Sequence, residues 1–180
     1  TQGTWKSPEG VTIDVNTSGS WTISQIYTML KANAMDLDKV GPSLTIYVQD
    51  TYPSQCTTSA VSSNGVYYGY KANIYLRGVG STFEISPDFA LTHEYGHAWS
   101  WYMIYMVHNG TWAQYLTKRW TTSDGSLNLS TDSRTDSSYS WAPGEIIADD
   151  YRILLGSSVA AARGHLNQTI PSPSSVPGLR

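Results

Sequence analysis

Five residues, His93-Glu94-Tyr95-Gly96-His97, spell the pattern H-E-x-x-H. On a helix, two histidines four apart project from one face, one turn above the other, so both imidazoles reach a single ion. The glutamate after the first histidine then lies close enough to take a proton from a water molecule that the ion activates. Zinc is the usual occupant of such a pair. It accepts neutral imidazole nitrogen, keeps a fourth position open in catalytic sites and lowers the pKa of its water to roughly 7. The competing explanation is a chance string with solvent-facing histidines. It is disfavoured because the chain has four His and two of them stand at ligand spacing.

The flanking residues predict the helix that this chemistry needs. Ser86-Pro87-Asp88 combines an N-cap, a proline for the first helical position and an acid for the first turn. Phe89, Ala90, Leu91, Ala98, Trp99, Trp101, Tyr102, Met103 and Met106 then make the helix apolar nearly all round, as buried helices are. Asn109-Gly110 supplies the stop. Two histidines and a glutamate inside such a helix need partners, since an unpaired buried charge is costly. A metal ion satisfies all three.

A catalytic zinc needs a third protein ligand. The metzincin pattern would place Gly and His three and six residues after the second histidine, where this chain has Ser100 and Met103. The other well-known solution is a carboxylate from a second helix. Ala142-Pro143-Gly144-Glu145-Ile146-Ile147-Ala148-Asp149-Asp150-Tyr151-Arg152 reads as that helix, with Pro143 in its first turn and Ile146, Ile147, Ile153 and Leu154 available for burial. Glu145 and Asp149 share one face. Glu145 can bind the metal while Asp149 accepts the outer N–H of a ligating histidine. The plainer alternative is an acidic helix start that merely suits the dipole.

With H-E-x-x-H at His93–His97 and E-x-x-x-D at Glu145–Asp149, the chain resembles the gluzincin zinc peptidases. The wording HEYGHA and EIIADD is most similar to their small single-domain forms, the minigluzincins and the anthrax toxin lethal factor group with its Pro-Pro endopeptidases. The resemblance covers roughly residues 70 to 155, and it is specific for the clan rather than the subgroup. It implies an endopeptidase with one catalytic Zn²⁺ held by His93, His97 and Glu145, with Asp149 behind them and Glu94 as general base. It implies a peptide or protein substrate and a tyrosine upstream of the glutamate ligand, for which Tyr139 is nearest. His165 is a candidate transition-state donor, set against an ordinary surface or hydrogen-bonded histidine. Gluzincins also pair extended substrate with an edge strand before the motif helix. Ala72, Asn73 and Ile74 are then the candidates for backbone contact, set against an ordinary internal strand. The rival class is a zinc-stabilised binding module or inactive pseudopeptidase. Intact Glu94 argues against it, because a structural site needs no base and closes with a fourth protein ligand.

The remaining sequence frames this site. A chain of 180 residues is one domain with room for a sizeable core. The expected division is a single zincin-like domain over 1–166, in which residues 1–98 form the upper half and residues 99–166 the lower half. A Pro/Ser-rich irregular tail over 167–180 follows. Charged residues are 14% and net charge is −3 without a basic patch, so nucleic acid is not an expected partner. No membrane-spanning run or signal peptide is visible; a secreted monomer is expected from class and composition. Cys56, the single cysteine, cannot form an internal disulfide and suits a small buried position.

The fold class is predicted as α/β (α+β). A small mixed β-sheet packs on a backing helix and the metal-binding helix, and a mostly helical half follows. Val11 to Val15, Leu44 to Val48, Gly65 to Tyr70 and Ala72 to Leu76 read as strands, the second continuous enough to be internal. Thr22 to Lys39 and Trp112 to Trp120 read as helices. Thr121 to Ser140 reads as a long loop, with Asp132, Arg134 and Asp136 as solvated charges or a calcium or substrate site.

Overall fold

The computed structural model describes residues 3–19, 21–50, 54–78, 87–120 and 142–180. Ser86, Tyr139, Asp132, Arg134 and Asp136 lie outside the described residues. The chain is mixed α/β, built on one five-stranded sheet of order β1-β2-β3-β5-β4. Its strands are β1 (Gly3–Lys6), β2 (Thr12–Asn16), β3 (Leu44–Gln49), β4 (Gln55–Ser63) and β5 (Val66–Arg77). The pairs β2–β3 and β3–β5 are parallel, whereas β1 and β4 run antiparallel at the two edges. No described helix is long and apolar enough to cross a membrane.

Strand periodicity explains which face is covered. Ile13, Val15, Leu44, Ile46, Val48, Ala72 and Ile74 alternate inward and are almost wholly buried. Helices α1 (Ile23–Asn33) and α3 (Pro87–Tyr102) pack on that face. The alternate residues, among them Tyr47 and Tyr75, stay half-buried on the other face. Their rings stack across β3 and β5 with centroids 5.1 Å apart.

Two expectations about the sheet change. Residues 65–76 form no pair of neighbouring strands; Val66–Arg77 is one long strand, and its partner is the unforeseen β4. Asn64 and Gly65 make the turn between them, both at positive φ (50° and 76°), as a two-residue hairpin turn demands. Ala72, Asn73 and Ile74 accordingly lie inside the sheet. They face Leu44, Thr45 and Ile46 on one side and Thr58, Thr57 and Cys56 on the other. With a strand on each side, their backbone is not an open edge, and β4 takes that position.

The helix expected over 22–39 is broken. Thr22 caps α1 in a reciprocal capping box with Gln25, and the helix ends at Asn33. Asp36 then adopts φ 52°, and only a short helix α2 (Leu37–Val40) follows. The backbone groups exposed by the break are taken up by aromatic residues of the site helices. Tyr151 Oη accepts from Met35 N at 2.7 Å and donates to Asn33 O at 2.9 Å, while Tyr95 Oη donates to Met35 O at 2.7 Å. Trp99 Nε1 donates to Asp36 Oδ2 at 3.0 Å. The backing layer is therefore bolted to the helices that carry Tyr95, Trp99 and Tyr151.

After Arg77 no further strand occurs among the described residues. Helix α3 runs into one wide π-helical turn over Met103–Val107 and stops at Asn109 and Gly110, both at positive φ. Helices α4 (Ala113–Trp120), α5 (Pro143–Leu155) and α6 (Ser158–Ala161) follow among the described residues. The segment 167–180 is irregular apart from a 3-10 turn over Pro173–Ser175. It is nonetheless packed down, with Ile170, Pro173 and Val176 buried.

Candidate metal centre

Helix α3 is buried on every side from Phe89 to Ala98, so its polar residues must find partners inside the protein. His93 and His97 find theirs on α5. Glu145 Oε2 lies 3.0 Å from His93 Nε2 and 3.3 Å from His97 Nε2. The two imidazoles stand nearly perpendicular (88°) with centroids 4.9 Å apart, and one potential ligand atom from each of His93, His97 and Glu145 falls within 4.8 Å of the others. The side chains of His97 and Glu145 are 11% and 18% exposed against 5% for His93, so the group opens toward solvent on that side.

Close approach of the two helices depends on Gly96. A Cβ there would sit 2.6 Å from the carbonyl oxygen of Ala148, a backbone atom that cannot swing away. The glycine inside the H-E-x-x-H pattern thus lets α5 come near enough for Glu145 to reach both histidines. Motif spacing alone assigned Gly96 no role.

Behind the group stands Asp149, fully buried. Its Oδ1 lies 3.4 Å from His93 Nδ1 and accepts from Arg152 Nε at 2.7 Å, and its Oδ2 accepts from Leu166 N at 2.7 Å. Burial opposes ionisation of Asp149, but the hydrogen bonds from His93 and Arg152 outweigh it and hold the carboxyl below the usual range. His93 shows the matching shift. Burial works against its charged form, yet Asp149 and Glu145 raise it to about 9. The cluster therefore favours a positive charge at His93.

Glu94 is buried as well but differently placed. No described residue donates a hydrogen bond to its carboxylate. Burial pushes its pKa up, Glu145 adds repulsion, and His93 and His97 pull it partly back. Cys56, half-buried on β4, feels the same acids: burial raises its thiol, and the charges of Glu94 and Glu145 raise it further. No motif hinted that β4 passes beside them.

His165 does not join this group. Its Nδ1 accepts from Asn167 N at 3.0 Å and lies 3.7 Å from Asp149 Oδ2, while Nε2 stands 3.2 Å from Asp150 Oδ1 without hydrogen-bond alignment. Only 5% of the side chain is exposed. Both ring nitrogens face α5 acids and local backbone, so neither is aimed at a reacting group beside His93 and His97. Asp150 points away too, accepting from Tyr115 Oη at 2.6 Å and Arg119 Nη2 at 3.1 Å.

His93, His97 and Glu145 can thus hold a metal ion. The donor set of two imidazole nitrogens and one carboxylate oxygen suits an imidazole-binding ion better than calcium or magnesium, which take oxygen. The carboxylates of Glu94, Glu145 and Asp149 around the histidines supply the negative field that such a cation needs. Comparison of the chain with protein-family models, with curated proteins and with solved structures returns no match.

Proposed function

We propose that the protein is a zinc-dependent endopeptidase of zincin-like fold, with His93, His97 and Glu145 as the zinc ligands. The observation that carries the reading is the convergence of these three side chains with Glu94 buried next to them and given no hydrogen-bond donor among the described residues. A purely structural site would have no use for an unengaged carboxylate at that position, and it would close on a fourth protein ligand. When bound, zinc supplies Lewis acidity, which polarises a carbonyl oxygen and lowers the pKa of water.

The chain's own residues do the rest. Glu94, whose proton affinity is raised by burial, is suited to take a proton from the attacking water and to return it to the leaving amine. Asp149 orients His93 through Nδ1 and fixes which nitrogen faces the ion. Edge strand β4 is the one in reach of the acids, so it replaces residues 72–74 as the place for an extended peptide to pair.

The test is a digest of a diverse peptide pool by the zinc-loaded protein, with and without a chelator. Chelator-sensitive internal cleavage is expected. Stoichiometric zinc without any cleavage would favour a metal-stabilised binding module instead.

A further inference from the structure

Arg152 is wholly buried, and each of its three guanidinium nitrogens donates a hydrogen bond. Nε donates to Asp149 Oδ1 at 2.7 Å, Nη1 donates to the carbonyls of Ala160 (2.6 Å) and Arg163 (3.2 Å), and Nη2 donates to Gly164 O at 3.0 Å. The Phe89 ring lies against it, 4.0 Å from the guanidinium carbon, and that same ring runs parallel to the His93 imidazole at 6.3 Å. A buried ion pair is weak grounds for stability alone, because apolar residues of similar volume often serve as well. What an apolar residue cannot do is fix the direction of a carboxylate.

That direction matters at Asp149. Its Oδ1 is shared between Arg152 Nε and His93 Nδ1, and its Oδ2 takes the Leu166 amide. The planar fork of Arg152 reaches Asp149 and the 160–164 backbone together, which a point-charge ammonium cannot copy. The segment from Ala160 to Leu166 therefore grips Asp149 twice, once through Arg152 and once through its own N–H.

We infer that Arg152 is a positioning residue of the metal centre, holding Asp149 so that it orients His93. The inference rests on the metal-site reading above. A neighbouring pair provides the control: Arg119, equally buried, binds Asp150, which has no hydrogen bond or ion pair to His93 or His97 among the described residues.

The experiment measures zinc affinity of the folded protein by competition with a chromophoric chelator. It compares Arg152→Met and Arg119→Met with wild type, then repeats Arg152→Met in an Asp149→Asn background. Arg152→Met should weaken zinc binding by about 10–100-fold, the range for residues that support a ligand. In the Asp149→Asn background its further effect should shrink to about twofold or less, since both changes break one chain of contacts. Arg119→Met should lower the melting temperature while zinc affinity stays within about threefold of wild type. The imidazole Nδ1–H proton resonance of His93 in the zinc form should be protected in wild type and exchange with solvent in Arg152→Met.

If Arg152→Met does not fold, Arg152→Lys takes its place. A zinc loss of about 10-fold, the low end of the support-residue range, that vanishes in the Asp149→Asn background supports the role. Unchanged affinity in the folded Arg152 variant, an equal loss with Asp149→Asn, or an equal loss from Arg119→Met overturns it. A wild-type protein that binds no zinc overturns the metal centre itself, a different result from a zinc-binding protein indifferent to Arg152.

Discussion

Two carboxylates flank the histidine pair, and their surroundings are opposite. Asp149 is gripped by Arg152, Leu166 N and His93, which keep it ionised in spite of full burial. Glu94, equally out of water, receives no hydrogen bond from any described residue, and burial raises its pKa. A carboxylate locked by donors stays an anion; one buried with no donor among the described residues holds its proton more readily. Environment, not residue type, separates the two roles. On the proposed reading, the difference assigns rigidity to the rear of the site and proton exchange to the Glu94 flank.

The largest expected effects fall on the shared ligands. His97→Ala or Glu145→Ala removes one donor of three and should abolish stoichiometric zinc at micromolar concentration, read by metal analysis after gel filtration. Asp149→Ala should cost less, about 10–100-fold in affinity. An Asp149 variant that loses more zinc than Glu145→Ala would erase the distinction between ligand and support.

A pH titration sharpens the comparison. His93 in the metal-free protein holds its proton up to about 9 against an ordinary 6.5. Zinc must displace that proton, so apparent affinity should rise about tenfold per pH unit per proton released, from near neutrality to about pH 9. The sign for folding of the metal-free protein is opposite. The raised His93 value contributes stability that is fully present below 6.5 and is lost as pH climbs through about 9. Chemical denaturation across that window, with and without zinc, should give slopes of opposite sign.

Gly96→Ala carries the smallest effect. Alanine gains roughly 1 kcal/mol of helix propensity, but its methyl would meet the Ala148 carbonyl at 2.6 Å. Overpacking typically costs about 1–3 kcal/mol, so a net loss of stability up to about 2 kcal/mol is expected from denaturant melts. The two helices should part slightly and zinc affinity fall with it. A stabilised Gly96→Ala protein would contradict the close α3–α5 approach.

The centre of the site was legible because helical spacing encodes a shared face. His93 and His97, then Glu145 and Asp149, are each four apart, and the structure brings all four together. What spacing does not encode is contact between distant segments. The β4 strand is rich in Ser and Thr and has no apolar alternation to announce it; the Asn64-Gly65 turn was the one signal available. Without β4, residues 72–74 could be read either as an edge or as an ordinary internal strand.

The helix break at Asp36 was hidden for a similar reason. Leu37 continues the apolar rhythm of α1, while the break is held by Tyr95, Trp99 and Tyr151 from elements 60 or more residues away. Arg152 Nη2 and His165 Nδ1 likewise meet backbone at Gly164 and Asn167, beyond α6, whose path no motif describes.

The most direct test of the central claim is peptide cleavage by zinc-replete Glu94→Gln. Glutamine keeps the size and lacks the basic carboxylate, so zinc content and melting temperature should match wild type. Cleavage should fall by about 10²–10⁴-fold or more, as general acid–base roles imply. The loss should appear in kcat rather than KM, because binding of the unreacted peptide is left intact. Wild-type rates from a zinc-replete Glu94→Gln protein would contradict the assignment of Glu94 as the base.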